Sequence, residues 1–215
     1  MGQLLIQLAV TAPVLLLSMV IHEISHGYMA YRLGDDTAMQ RGRLSPNPIK
    51  HLDPLGSLVL LLTFLGSQGA MMFGWAKPVP INPGKFKSHQ RGMAYVGIAG
   101  PMANFLLASL AALILRTAYP HIGDVETGLL PIAIFRIFQL NIILMIFNLI
   151  PVPPLDGSRI VGAFLPPKSY IKWIQLDQYG MLFIMLLLFA LINFGNGLYN
   201  VILPIYRLFL PTYGF

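Results

Sequence analysis

The sequence predicts an all-α polytopic membrane protein: a bundle of about four to six transmembrane helices with a re-entrant or short β element after the first helix. Three observations predict it. Of the 215 residues, 56% are hydrophobic and only 10% are charged, whereas a soluble domain carries about 25% charged residues to cover its surface. The apolar residues gather into runs close to the ~20 residues that a helix needs to cross hydrocarbon. The basic residues behind the net charge of +6 cluster in short loops between those runs, where they orient a membrane protein and meet anionic headgroups. No contiguous basic face exists, so nucleic acid is not an expected partner. Cysteine is absent, which excludes disulfides, thiolate metal sites and cysteine nucleophiles. Residues 1–215 are expected to form one domain.

The first apolar segment runs from about Leu4 to Leu33, long enough to be tilted or partly buried in protein. Its first 20 residues hold no Lys or Arg. The charged region of a cleavable signal is therefore missing, and the helix is expected to be retained. The stretch Leu55 to Trp75 is apolar enough to span, yet Gly66, Gly69 and Gly74 interrupt it. Arg41, Arg43 and Lys50 precede it, and Lys77, Lys85, Lys87 and Arg91 follow it. A true span separates a positive side from a neutral one, so a hairpin entering and leaving on one side is expected. Such backbone is tolerated at membrane depth only when buried in protein or lining a wet cavity. The proline-rich flanks, Arg41 to Pro48 and Lys77 to Pro83, read as extended.

Further segments run from about Gly92 to Leu115, Leu129 to Ile150 and Tyr179 to Phe194. A last stretch, Leu198 to Leu210, is short and carries Pro204 and Arg207, which suits an interfacial helix or a return pass. The charges place the end of the first segment, the start of the second and the end of the third on one side. The positive-inside rule makes that side cytoplasmic, in a multi-pass protein of the cell (inner) membrane. Arg116 dissents mildly, in front of a loop holding Asp124 and Glu126. Arg136, about two turns from the outer end of the third segment, is placed to snorkel outward.

The first segment contains His22–Glu23–Ile24–Ser25–His26. Positions i and i+4 of a helix share one face, so two imidazoles there can hold one zinc ion, and the intervening glutamate can act as general base on a water. With five His and two Glu in the chain, this pattern would arise by chance in about one chain in a thousand, which makes it a specific match to the metal motif. Ionisable groups in an apolar helix also mark function.

A catalytic zinc takes three protein ligands and keeps one position open. Asp35, Asp36 and Asp53 lie in the polar loop after the first segment, His51, His89 and His121 in loops, and Asp177 near the start of the fourth segment. Asp124 and Glu126 fall on the opposite side. Asp156 follows Asn148–Leu149–Ile150–Pro151–Val152–Pro153–Pro154–Leu155 at the cytoplasmic end of the third segment. The prolines forbid a regular helix there, and Gly157 permits a close turn. On spacing alone, Asp156 fits a third ligand and the cap of a short helix beginning at Ser158 equally well. Gly100, Ala103 and Ala108 are small enough for close helix packing.

These residues, taken together, resemble the site-2 protease family of intramembrane zinc metalloproteases. The resemblance rests on the His22–Glu23–His26 motif in a membrane helix, on Asn148–x–x–Pro151 and Leu155–Asp156–Gly157 downstream, and on Ala99–Gly100–Pro101–Met102–Ala103–Asn104 between them. The runs Arg41 to Leu44, Asp53 to Gly56 and Gly74 to Pro80 further resemble the small bacterial and archaeal branch without PDZ or CBS domains. The resemblance covers nearly the whole chain. It implies one Zn2+ per chain held by His22, His26 and Asp156, with Glu23 catalytic. It implies substrate binding by Asn148. Beside these, Asn104 is a candidate to hydrogen-bond the substrate or the oxyanion, although an Asn on an apolar helix often only bridges neighbouring helices. The implied substrates are transmembrane segments of other membrane proteins, cut within or near the bilayer by a site reached from the cytoplasmic side. The extended segments resemble the family's re-entrant strand, which pairs with an unwound substrate by edge-strand addition. The alternatives are a non-proteolytic zinc-binding membrane protein, which has no need of Glu23, and a membrane hydrolase of a small or lipid substrate. Oligomeric state is not legible.

Overall fold

Backbone in hydrocarbon must satisfy its hydrogen bonds internally, and the apolar segments do so as helices in the computed structural model, which describes residues 2–69, 72–121, 125, 128–193 and 196–213. Helix α1, Gly2–Arg32, contains Pro13 and has 31 residues. At 1.5 Å per residue it reaches about 46 Å, well beyond the ~30 Å of hydrocarbon. Gly34, at φ +102°, ends it. The Asp35 N–H returns to Ala30 O at 2.9 Å, a bond that only a left-handed residue after the helix permits. A single turn, α2, Thr37–Gln40, follows.

The stretch after α2 departs from the expected β element. Among the described residues it forms helix α3, Pro54–Gly66, started by Pro54 and by Asp53, whose side chain accepts the Gly56 N–H at 2.8 Å. Thirteen residues reach about 20 Å, too short to span. The chain turns at Gln68 and Gly69, at φ +53° and +86°. It comes back as irregular backbone to one antiparallel bridge, Leu52 with Ala76, beside a Lys77 N–H to His51 O bond of 2.8 Å. The stretch thus leaves and returns at one point, as a hairpin does, but no strand forms among the described residues. The reason is chemical: Leu58 to Leu65 has no period-2 alternation, and Pro78, Pro80 and Pro83 remove the donors a ladder needs.

Helix α4, His89–Ala118, presents buried Gly92, Ala94, Gly97, Gly100, Ala108, Ala111 and Ala112 to its neighbours. Small residues let backbones approach closely, and α4 packs against both α1 and α5, Leu129–Leu149, which also touch each other. Beyond α5 come α6, Asp156–Gly162, α7, Pro167–Gln175, α8, Gly180–Asn193, and α9, Asn196–Phe209. One half of the bundle is an apolar core of Ala108, Leu115, Phe138, Ile142, Tyr206 and Leu210, joining α4, α5 and α9. His22, His26 and Asp156 are not part of this core.

Among the described residues, four helical stretches are long and apolar enough to cross a membrane: Gln7–Arg32, His89–Ala118, Leu129–Leu149 and Pro167–Ala190. Helix α3 and Asn200–Phe209 are shorter. Arg136 turns to Gln139, donating to its Oε1 at 3.0 Å. Asp124 and Glu126 lie outside the described residues.

Candidate metal centre

The helical period places His22 and His26 on one face of α1, their rings 4.5 Å apart and edge to face at 88°. Both are almost wholly buried. Two glycines of α4 admit what converges on them. A Cβ at Gly100 would stand 2.5 Å from Cε1 of each imidazole. A Cβ at Gly97 would stand 2.9 Å from Asp156 O and from Arg159 Cβ, so α6 can start against α4. Between α5 and α6 the prolines keep residues 150–155 out of helix. Gly157 then lies against the Leu149 and Ile150 carbonyls, where any side chain would collide.

This turn delivers Asp156 to the histidines. Its Oδ2 is 3.2 Å from His22 Nε2 and 3.3 Å from His26 Nε2, and the two Nε2 atoms are 2.9 Å apart. Asp156 is the first residue of α6, and no side chain caps that helix. The aspartate therefore points at the imidazoles and not at the free N–H groups of its own helix.

The outer nitrogens explain why these atoms can meet. His26 Nδ1 is 2.7 Å from Val96 O. A carbonyl only accepts, so Nδ1 carries the proton and Nε2 of the neutral ring is bare. His22 Nδ1 is 2.6 Å from Asn104 Oδ1, with the same consequence. Two bare nitrogens thus face a buried carboxylate oxygen that has no hydrogen-bond partner. Such a triangle of lone pairs repels itself unless a cation sits among them. Bonds of about 2.0–2.1 Å to a tetrahedral zinc would separate donor atoms by about 3.3 Å, near the separations found. Two imidazoles and one carboxylate, with a fourth position open, match a catalytic zinc set.

The centre forms one wall of a cavity of about 660 Å3 bounded by α1, residues 73–81, α4, the end of α5, the start of α6 and the start of α8. Glu23 lines it, with Oε2 accepting the Val79 N–H at 2.9 Å. Ligand atoms of His22, Glu23 and His26 all lie within 4.8 Å of one another. Asn148 also lines the cavity, one of its amide hydrogens given to Leu144 O at 3.0 Å. Asn104 is placed elsewhere. It is fully buried behind His22, its Nδ2 donating to Asn141 Oδ1 at 2.7 Å, and it is not among the cavity-lining residues.

Six of the other acids and histidines weighed from sequence have separate occupations. Asp35 accepts the Asn82 N–H at 2.6 Å, and Asp36 pairs with Lys85 at 2.5 Å. Asp53 caps α3, His51 faces Ser45 O at 2.9 Å, and His89 packs edge-on against Tyr170 at 5.7 Å. Asp177 pairs with Arg159 at 2.6 Å on the cavity wall. At the Asp35 carboxyl, burial pushes the pKa up, and bonds from Thr37 and Asn82 with the Lys85 ammonium outweigh it, so the net shift is downward.

Sequence reasoning missed Ser18, Asn141 and Val79. The first two carried a signal: Ser18 precedes His22 by four residues and Asn141 precedes Asn148 by seven, on the same helix faces, and polar groups in apolar helices are costly enough to need a role. Val79 carried none, because its contribution is a backbone N–H.

No protein-family model matches the chain, and no solved structure matches it. Curated relatives do, among them the following three. The chain is 42% identical over 178 residues to "Putative zinc metalloprotease YwhC" of Bacillus subtilis, covering 80% of this chain and 77% of that protein. It is 30% identical over 173 residues to "Putative zinc metalloprotease Rip2" of Mycolicibacterium smegmatis, covering 80% and 64%. It is 28% identical over 204 residues to "Zinc metalloprotease MJ0392" of Methanocaldococcus jannaschii, covering 94% of this chain and 47% of that protein. The chain therefore spans just under two thirds of Rip2 and about half of MJ0392.

Proposed function

The chain belongs to the zinc metalloprotease family that contains YwhC, and from that premise we propose that it is an intramembrane endopeptidase of site-2 protease type, hydrolysing peptide bonds within or near transmembrane segments of other membrane proteins. The observation that carries the reading is the meeting of His22 Nε2, His26 Nε2 and Asp156 Oδ2 between helices apolar enough to span a bilayer, with Glu23 beside them in a cavity.

His22, His26 and Asp156 are the residues that would hold one zinc ion. Zinc bound there supplies Lewis acidity, which lowers the pKa of the attacking water and polarises the scissile carbonyl. The rest is the work of this chain's own groups. Glu23 takes the proton from the water and returns it to the leaving amide nitrogen, general acid–base work by a carboxylate in hydrogen-bond reach. The Val79 N–H holds Glu23 Oε2 and so keeps the carboxylate turned into the cavity. Asn148 lines the same cavity and offers its side-chain amide to the substrate backbone. The segment 73–81 forms the opposite wall, where an unwound substrate would lie along it. Within it the Lys77 and Val79 N–H groups are already given to His51 O and Glu23 Oε2, and Pro78 and Pro80 have none, so over residues 77–80 pairing with a substrate would use carbonyls as acceptors.

The loop bases Arg41, Arg43 and Lys50 follow the site-bearing end of α1, and Arg159, Lys168 and Lys172 follow Asp156. That distribution supports a site open to the cytoplasmic side.

The test compares Glu23→Gln with the parent, both purified in detergent, on a model transmembrane substrate. Loss of cleavage with zinc retained is expected. Equal cleavage by both would remove Glu23 as the base, and zinc binding by the parent without cleavage of any helical substrate would remove proteolysis.

A further inference from the structure

His22 and His26 are held by unlike means. The partner of His26 Nδ1 is a backbone carbonyl, Val96 O at 2.7 Å, which can only accept. The partner of His22 Nδ1 is the side-chain amide of Asn104, at 2.6 Å. An amide has an accepting end and a donating end. If Asn104 turned its nitrogen toward His22, the imidazole would have to accept at Nδ1 and carry its proton on Nε2, where the metal must bind.

Asn141 prevents that turn. Its Nδ2 donates to Ile137 O at 2.8 Å and to Ser18 Oγ at 2.9 Å. Ile137 O is a backbone carbonyl and only accepts. Ser18 has one hydroxyl proton, given to Val14 O at 2.8 Å, so toward Asn141 its oxygen only accepts. Two acceptors thus fix the nitrogen of Asn141. Its Oδ1 must face Asn104 and accept from Asn104 Nδ2 at 2.7 Å. Asn104 Oδ1 is then left for His22 Nδ1–H. Each step has one direction, and Asn104 and Asn141 are fully buried, so water offers neither amide an alternative partner.

We propose that Asn141 is a positioning residue for zinc: acting through Asn104, it holds His22 in the tautomer whose Nε2 is free to bind the metal. This rests on the assignment of His22, His26 and Asp156 as ligands. Groups that hydrogen-bond the outer nitrogen of a metal-bound histidine fix its tautomer and orientation, and their loss costs about 10- to 100-fold in affinity. A relay that only tied α1, α4 and α5 together would cost stability instead, without regard to which end of an amide points where.

The discriminating experiment measures zinc affinity by chelator competition, and the visible spectrum of the Co2+-substituted protein, for the full chain in detergent. Asn141→Leu removes the acceptor that orients Asn104 and is expected to raise the zinc Kd about 10- to 100-fold. Asn104→Asp presents an acceptor whichever oxygen faces His22, and is used together with Asn141→Leu, because beside Asn141 its second oxygen would meet Asn141 Oδ1. In the double variant Asn141→Leu/Asn104→Asp the affinity and the tetrahedral Co2+ spectrum should return toward the parent, although packing is no better than in Asn141→Leu alone. If Asn141→Leu does not fold, Asn141→Ala removes the same acceptor with less bulk. Parent-like zinc affinity in the Asn141 variants, or a loss that Asn104→Asp does not restore, overturns the relay. Failure of the underlying site looks different: His22→Ala would then bind zinc as the parent does.

Discussion

Replacing Gly100 by alanine puts a methyl carbon where both imidazoles stand. On the present backbone that carbon would lie 2.5 Å from His22 Cε1, 2.5 Å from His26 Cε1 and 2.6 Å from His22 Nε2. Ordinary carbon contacts are about 3.5–4.0 Å, so the rings or α4 must retreat by about 1 Å. The rings have little freedom, because Asn104 Oδ1 and Val96 O hold their far nitrogens at 2.6 and 2.7 Å, and Val96 belongs to α4 itself. Metal–ligand distances tolerate only about 0.2 Å. Overpacking of this kind costs about 1–3 kcal/mol, and if the strain falls on the ligands it multiplies the zinc Kd by about 5- to 150-fold. Chelator competition on the purified variant measures it, with melting in excess chelator as the control for the apo fold. A Gly100→Ala protein that melts like the parent and binds zinc as tightly would refute the argument, since it would mean the histidines are not pressed against α4.

Other perturbations separate the parts of the site. Asp156→Ala leaves two imidazoles as the only ligands of the three, and zinc retained through dialysis should fall well below one per chain; unchanged metal content would remove Asp156. Val79→Pro keeps an extended backbone between Pro78 and Pro80 but deletes the N–H that holds Glu23. A hydrogen bond to a charged group contributes about 1.5–3 kcal/mol, so kcat should drop about 10- to 100-fold with zinc affinity unchanged; loss of zinc would show that the segment supports the metal and not the base. Asp35→Asn weakens the tie between the end of α1 and Asn82 by about 2 kcal/mol, read as a lower melting temperature at neutral pH. Because the Asp35 carboxyl is lowered in the folded protein, its stabilisation is fully present above the ordinary carboxylate range near pH 4 and is lost as pH falls through the folded value. The gap between parent and Asp35→Asn should therefore close on acidification; a gap that widens would contradict the assignment.

The amino-acid sequence by itself determined the features that depend on neighbours along the chain. Hydrophobic run length marked the long helices, because a single helix must satisfy its own backbone wherever it lies. Helical period put His22 and His26 on one face, because i and i+4 are always one turn apart. Prolines 151, 153 and 154 with Gly157 announced a break and a tight turn before Asp156. Where local signals were mixed, reading was weaker. The stretch 55–75 was legible as a hairpin from charge on both flanks, but not as helix α3 with one bridge, because proline-rich flanks suit irregular chain as well as strand.

The tertiary structure alone decided what depends on approach between distant segments. Asp156 is 134 residues beyond His22, and whether it capped a helix or faced the imidazoles turned on how closely α6 comes to α4 at Gly97. Asn104 read as a helix bridge or a substrate contact until the packing set it behind His22. Asn141 and Ser18 acquired a role only through the direction of their hydrogen bonds, and Val79 only through a backbone N–H that no side-chain pattern encodes. Spacing along one helix is set by bond geometry, whereas the meeting of atoms from three helices is set by which small residues let them close.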